Sequence, residues 1–228
     1  MRFIGAYQDK KSMYIVTEKC AGGEVFERLC HIKKFNESEV VGISRQVLRA
    51  IEYVHMMGII HRDIKAENFL FHSNGSVKLI DFGLAVRLSK PTDFFTSVVG
   101  SAHYLAPEMI RHKYSKPVDV WSAGVMVFLM FFGWYPFDGP DDDAVVAEIK
   151  RGAIPNCTTE LSHQGRRFLH SLLDTNYKDR PTATDALAHP FLQDPDEAWT
   201  EASSGGARGS ASPPNFEDEL WMISEQTF

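Results

Sequence analysis

Two short apolar runs, residues 69–72 and 77–80, flank Ser73-Asn74-Gly75-Ser76. An Asn-Gly pair between such runs signals a tight β-hairpin. A hairpin brings its two ends together. Asn68, just before the first run, should therefore lie beside Asp81, just after the second. Asn68 closes the stretch His61-Arg62-Asp63-Ile64-Lys65-Ala66-Glu67-Asn68, and Asp81 opens Asp81-Phe82-Gly83. Asn68 and Asp81 offer oxygens of the kind that Mg2+, a hard cation, takes as ligands. Phosphoryl transfer needs such oxygens on metal ions, and a group that orients the attacking hydroxyl. Asp63 is the candidate for that group, and Lys65 can neutralise charge on a transferring phosphoryl. Taken singly, each is an ordinary surface residue. Their joint spacing is what points to a metal–phosphate site.

The rest of the chain narrows the possibilities. Its 228 residues allow one large domain or two small ones, and 44% apolar residues suffice for a sizeable core. A net charge of −6 with both signs mixed gives no footprint for nucleic acid or an anionic membrane. Cys20, Cys30 and Cys157 are few, odd in number and widely spaced, as in a reduced compartment. Residues 1–8 lack the pattern of a signal peptide. The cytoplasm is the expected location, with the nucleus left open. The apolar run 120–135 is too short for a membrane span, contains Ser122 and two glycines and stops at Pro136. It reads as the central helix of a core.

Periodicity gives the remaining elements. A strand is expected over 13–17, a break at Ala21-Gly22-Gly23, and a short helix over 24–30. Asn36 and Glu39 form a capping box, and Val40, Ile43, Val47, Ile51 and Val54 repeat at helical spacing, predicting a helix over 37–57. Further helices are expected over 118–132, 142–151, 159–173 and 182–188. Residues 201–214 have little to bury and read as a linker. Residues 215–228 are acidic but carry Phe216, Leu220, Trp221, Met222, Ile223 and Phe228. The segment 193–228 is expected to be a flexible tail, with docking of its end on the core or a partner as the other reading.

Residues 61–68 and 81–83 resemble the catalytic loop and metal-binding tripeptide of eukaryotic-type protein kinases. Ala106-Pro107-Glu108 resembles the motif closing their activation segment, and 119–124 the start of their large buried helix. Lys65 is similar to serine/threonine kinases. Gly100-Ser101-Ala102-His103-Tyr104 resembles the calcium/calmodulin-dependent group, most of all the calcium-dependent protein kinases. The resemblance implies a mostly helical α+β fold over residues 1–192: residues 1–18 as a remnant of the N-terminal lobe sheet, and 19–192 as hinge and C-terminal lobe. It implies transfer of phosphate from Mg-ATP to Ser or Thr of proteins. Asp63, Lys65 and Asn68 would be catalytic, with metal on Asn68 and Asp81. Thr17 would be the gatekeeper, Glu18 and Cys20 would bond adenine through their backbones, and Leu70 would lie beneath its ring. Glu24 and Glu67 match positions that read basic residues upstream of the phosphorylated Ser or Thr. Ser101 would contact Asp63 and Lys65, His61 would pack on Phe82, and Arg180 would pair with Glu108. Asp119 would be structural. Arg62 would hold a phosphate of the activation segment, for which Ser97 is the candidate, ahead of Thr96 and Thr92.

The family's nucleotide lobe also carries a Gly-rich loop, a strand lysine and a helix glutamate. None precedes Met13, and residues 205–209, though Gly-rich, lack a flanking strand and helix. Phe3 falls at a spine position. Weakened ATP binding is the corresponding expectation, and a catalytically impaired binding or regulatory module is the alternative to an active kinase. A small-molecule phosphotransferase shares the Asp and Asn spacing but lacks the activation-segment motif. No EF-hand is expected: in 138–143 the Gly is misplaced and Pro140 interrupts, as at a helix start rich in Asp.

Overall fold

The computed structural model describes residues 1–193 and 223–226. Strands β1 (Phe3–Gln8) and β2 (Met13–Thr17) form an antiparallel hairpin. Asp9 shapes its turn by accepting from the amides of Lys11 and Ser12 at 2.7 and 2.8 Å. Helix α1 (Val25–Ile32) follows the glycine break. The capping box then starts α2 (Glu37–Met56): Asn36 accepts from the Glu39 amide at 2.9 Å, and Glu39 accepts from the Asn36 amide at 3.1 Å. Val40, Ile43, Val47, Ile51 and Val54 are all buried on one face, each contributing about 1.5–3 kcal/mol over exposure.

Beyond α2 the chain makes β3 (Ile59–Ile60), the hairpin β4 (Phe69–Phe71) and β5 (Val77–Leu79), and β6 (Val86–Arg87), which returns to pair with β3. Gly75 has φ 78°, the left-handed conformation the hairpin turn requires. The short α3 (Pro107–Ile110) leads to α4 (Pro117–Phe132). Residues 118–131 of α4 are buried without exception. It is the central helix of the core, packed between α2 and α6 (His163–Leu172). Helices α5 (Asp142–Arg151) and α7 (Ala183–Leu187) complete the helical set, and α7 also packs on α2. Strand β7 (Ile223–Gln226) pairs with β2, giving the sheet order β1-β2-β7. The fold is α+β and mainly helical, as read from the sequence.

Two expectations change. The helix predicted from 159 begins at His163, because Ser162 caps it by accepting from the Gly165 amide at 3.0 Å; residues 156–160 form a separate 3-10 turn. Phe3 does not sit in an interior spine; it is 62% exposed. Of the segment 193–228, residues 223–226 pair with β2, and the expected linker 201–214 lies, with the rest of 194–222 and with 227–228, outside the described residues. Asp141 caps α5 by accepting from the Ala144 amide at 2.9 Å, so that acidic run is a helix start. Among the described residues, no helix is long and apolar enough to cross a membrane.

Candidate active site

The loop after β3 depends on one buried carboxylate. Asp119, in the first turn of α4, accepts from the backbone amides of His61 and Arg62, each at 2.9 Å, and bonds His55 Nε2 at 2.8 Å. Burial pushes its carboxyl up, but the His55 bond and the two amides outweigh this and hold it below the usual range. These bonds fix Arg62 at φ 69°, a conformation costly for a side chain of this kind.

Asp63 follows, nearly buried, in a ring of donors. Lys65 Nζ lies 2.9 Å from its carboxylate. Asn68 Nδ2 donates to Asp63 twice, to the carbonyl at 2.8 Å and to the carboxylate at 3.0 Å. Ser101 donates to the carboxylate at 3.3 Å and accepts from Lys65 at 3.1 Å. Ser101 can approach because Gly100 precedes it. At Gly100 φ is +102°, and a Cβ would fall 2.6 Å from the Arg62 carbonyl oxygen.

The hairpin brings Asn68 and Asp81 to one end: the Ile80 amide donates to the Asn68 carbonyl at 2.9 Å. With its amide nitrogen turned to Asp63, Asn68 has a side-chain oxygen that could hold a cation. Asp81 has φ 56° and accepts from the Gly83 amide at 3.0 Å through one oxygen. This donor set fits Mg2+, which usually takes one or two protein oxygens and completes its shell with phosphate and water. Among the described residues no cluster of three His, Cys, Asp or Glu could hold a metal by itself.

The other predicted residues surround this centre. The rings of His61 and Phe82 meet edge-on at 4.8 Å between centroids. Thr17 ends β2. Glu18 accepts from the Arg2 amide at 2.8 Å and faces Lys78 at 3.6 Å; burial opposes its ionisation, yet these contacts hold its carboxyl below the usual range. Cys20 is buried, and burial with the Glu18 charge pushes its thiol up. The chain after it is tied to β4 by Gly22–Phe71 and Phe71–Gly23 backbone bonds and by a bridge between Glu24 and buried Leu70. Glu24 thus stands at the start of α1, its carboxylate uninvolved in capping. Glu67 carries a buried oxygen, Oε2, with no hydrogen-bond partner among the described residues. Burial and this charge push the phenols of Tyr104 and Tyr135 up.

Arg62 reaches across to the segment before Gly100. Its guanidinium donates to the Leu84 carbonyl at 2.7 Å, to Ser97 Oγ at 3.2 Å and to the Tyr114 hydroxyl at 3.1 Å. Glu108 and Arg180 form a buried, two-pronged pair at 2.6 and 3.1 Å. Sequence reasoning missed His55, Tyr114 and the tight approach at Gly100. His55 follows Ile51 at helical spacing, so its place on the buried face was available from periodicity; its partner Asp119 was not.

This loop constellation on a mainly helical lobe defines the class. The chain belongs to the protein kinase domain family, which it matches over residues 1–192. It is similar to calcium-dependent protein kinase 29 of Arabidopsis thaliana, at 37% identity over 85% of this chain and 37% of that protein. Calcium-dependent protein kinase 21 of Oryza sativa subsp. japonica is 40% identical over 82% of this chain and 34% of that protein. The chain therefore spans only a little over a third of the length of these curated relatives.

Proposed function

We propose that this chain transfers the γ-phosphoryl group of Mg-ATP to Ser or Thr hydroxyls of proteins. One observation carries the reading: Asp63 is held by Lys65, Asn68 and Ser101 at the foot of a loop that Asp119 fixes. Asp63 accepts the proton of the substrate hydroxyl as its oxygen bonds to the γ-phosphorus and the bond to the β-phosphate oxygen breaks, releasing ADP. Lys65 balances charge on the phosphoryl oxygens in passage. Mg2+, when bound through Asn68 and Asp81, supplies charge neutralisation on the phosphates. Residues 17–20 and Leu70 form the adenine side, with Thr17 as gatekeeper and the backbones of Glu18 and Cys20 as bonding groups.

The expected protein substrates carry basic residues upstream of the acceptor. The place of Glu24 at the start of α1, its carboxylate uninvolved in capping, and of Glu67 one residue before Asn68 support this, since a carboxylate pairs with a cationic side chain through charge-assisted hydrogen bonds. Arg62 is the receiver of a phosphate on Ser97.

The test is Mg-ATP-dependent transfer to a Ser peptide with upstream arginines, with Asp63→Asn as control. Loss of the proton acceptor should lower turnover by about 10²–10⁴. Equal rates in the two proteins would refute the reading. No transfer from folded protein would favour the binding-module alternative.

A further inference from the structure

Three basic side chains, Arg111, His112 and Lys113, stand in a row after α3. All three are exposed, and none forms an ion pair among the described residues. They adjoin residues 94–97 across an antiparallel bridge. The Phe95 amide donates to the Tyr114 carbonyl at 2.9 Å, and the Tyr114 amide to the Phe95 carbonyl at 3.1 Å. His112 Nδ1 donates to the Thr96 carbonyl at 2.9 Å, and the residue is held at φ 56°, in the left-handed region. Lys113 Nζ lies 5.2 Å from the centre of the Phe94 ring, which is 47% exposed. The carboxylate next to Phe94, that of Asp93, is turned to the amides of Ser89 and Lys90 at 2.8 and 2.7 Å. The surface thus joins an open aromatic ring to cations without a counter-charge. The proposed phosphoryl transfer uses none of these groups.

We propose that Phe94, Arg111, His112 and Lys113 form a docking site for an acidic segment of a partner protein. Carboxylates of that segment pair with the cations, and one apolar side chain packs on Phe94. Charge complementarity selects the occupant, and arginine and aromatic side chains are the types that carry most interface energy. Arg111 offers a carboxylate a two-pronged, charge-assisted fit. A nucleic acid or an anionic membrane fits less well. The chain as a whole carries −6 and repels long polyanions, and three successive residues span only roughly 10 Å. The surface is also tied to the catalytic loop. The Tyr114 hydroxyl donates to the Ser97 carbonyl at 2.7 Å and accepts from Arg62 at 3.1 Å, and the Arg62 guanidinium carbon lies 5.9 Å from the centre of the Phe95 ring. An occupant should therefore steady residues 94–97.

Fluorescence anisotropy on the full chain without ATP tests this independently of catalysis. The probe is a labelled glutamate peptide with one central phenylalanine. Arg111→Glu/Lys113→Glu should weaken its binding at least tenfold. Lys150→Glu/Lys178→Glu makes the same charge change elsewhere on the surface and should alter binding less than threefold. Phe94→Ser should weaken binding of this peptide about fivefold and leave that of an all-glutamate peptide unchanged, which separates a lost anchor from a lost fold. Amide hydrogen exchange over residues 94–97 should slow in the complex, with residues 121–131 unaffected. Equal affinity in the two charge variants would overturn the proposal, as would unchanged exchange over 94–97 at saturation or no binding to the parent at millimolar peptide. Tighter binding of duplex DNA or phosphatidylserine vesicles through Arg111 and Lys113 would overturn it too. So would a parent dimer, seen by light scattering, that Arg111→Glu/Lys113→Glu abolishes, since a second copy would then be the occupant.

Discussion

Ser97 is the residue at which one added group would change most. Its hydroxyl lies 3.2 Å from Arg62, the immediate neighbour of Asp63, and 3.4 Å from the Tyr114 hydroxyl. A phosphate there adds close to two negative charges and strong acceptors. It would turn a neutral contact into a charge-assisted one worth about 1.5–3 kcal/mol. Phosphorylated Ser97 should hold the segment before Gly100 against the catalytic loop, and Ser97→Ala should lower turnover about tenfold or more. The comparison is made on protein whose phosphate content is counted by mass spectrometry. Equal rates for Ser97→Ala and fully phosphorylated protein would remove the idea. Much of this neighbourhood was legible residue by residue. Asp63, Lys65, Asn68 and Asp81 stand out by type and spacing, and Ser101 falls in a recognisable stretch; the structure brings Asp63, Lys65, Asn68 and Ser101 together. The missing part was positional. Nothing in the sequence near Asp119 says that its oxygens bind amides 57 and 58 residues earlier.

The first turn of α4 is the element on which the catalytic loop depends. Asp119→Asn keeps the shape but removes the charge that two amides and His55 share, so it should destabilise the protein by about 3 kcal/mol. The sign of the pH effect follows from the lowered carboxyl. Its folded-state value lies below the ordinary 3.8, so ionised Asp119 adds stability above that pH, and the contribution fades as pH falls through the lower folded-state value. Urea unfolding between pH 7 and pH 3 should show a shallower acid decline in Asp119→Asn than in the parent; parallel curves would contradict this. Element boundaries were legible where a local signal exists. The Asn36–Glu39 box set the start of α2 correctly. For α6, the Thr159-Glu160 stretch looked helical, while the cap at Ser162, whose hydroxyl also bonds Glu37, decided the start. Strand β7 had no readable signal, because four mostly polar residues become a strand only by pairing with β2, some two hundred residues earlier.

At the scale of the molecule, Glu108 and Arg180 join the segment after the catalytic loop to the helices behind it. The guanidinium also donates to the Asp174 and Pro117 carbonyls and lies 5.0 Å from the Trp121 ring. Arg180→Met should cost about 3–5 kcal/mol, because it strands a buried carboxylate. Adding Glu108→Leu should recover part of that loss in urea melts. A double variant as unstable as the sum of the singles would show that the pair is not coupled. The bonds of Asp119 have a further consequence, in the order in which the molecule acquires its parts. The β4–β5 hairpin closes over a few residues and can form early, whereas the loop beside it takes shape only when α4 has docked under it. Closing so long a stretch of chain is slow, because its entropy is spent before any contact returns it. Asn68 and Asp81 are therefore brought together by local folding, while Asp63 is aimed by a long-range closure, so the complete constellation should form later than the hairpin.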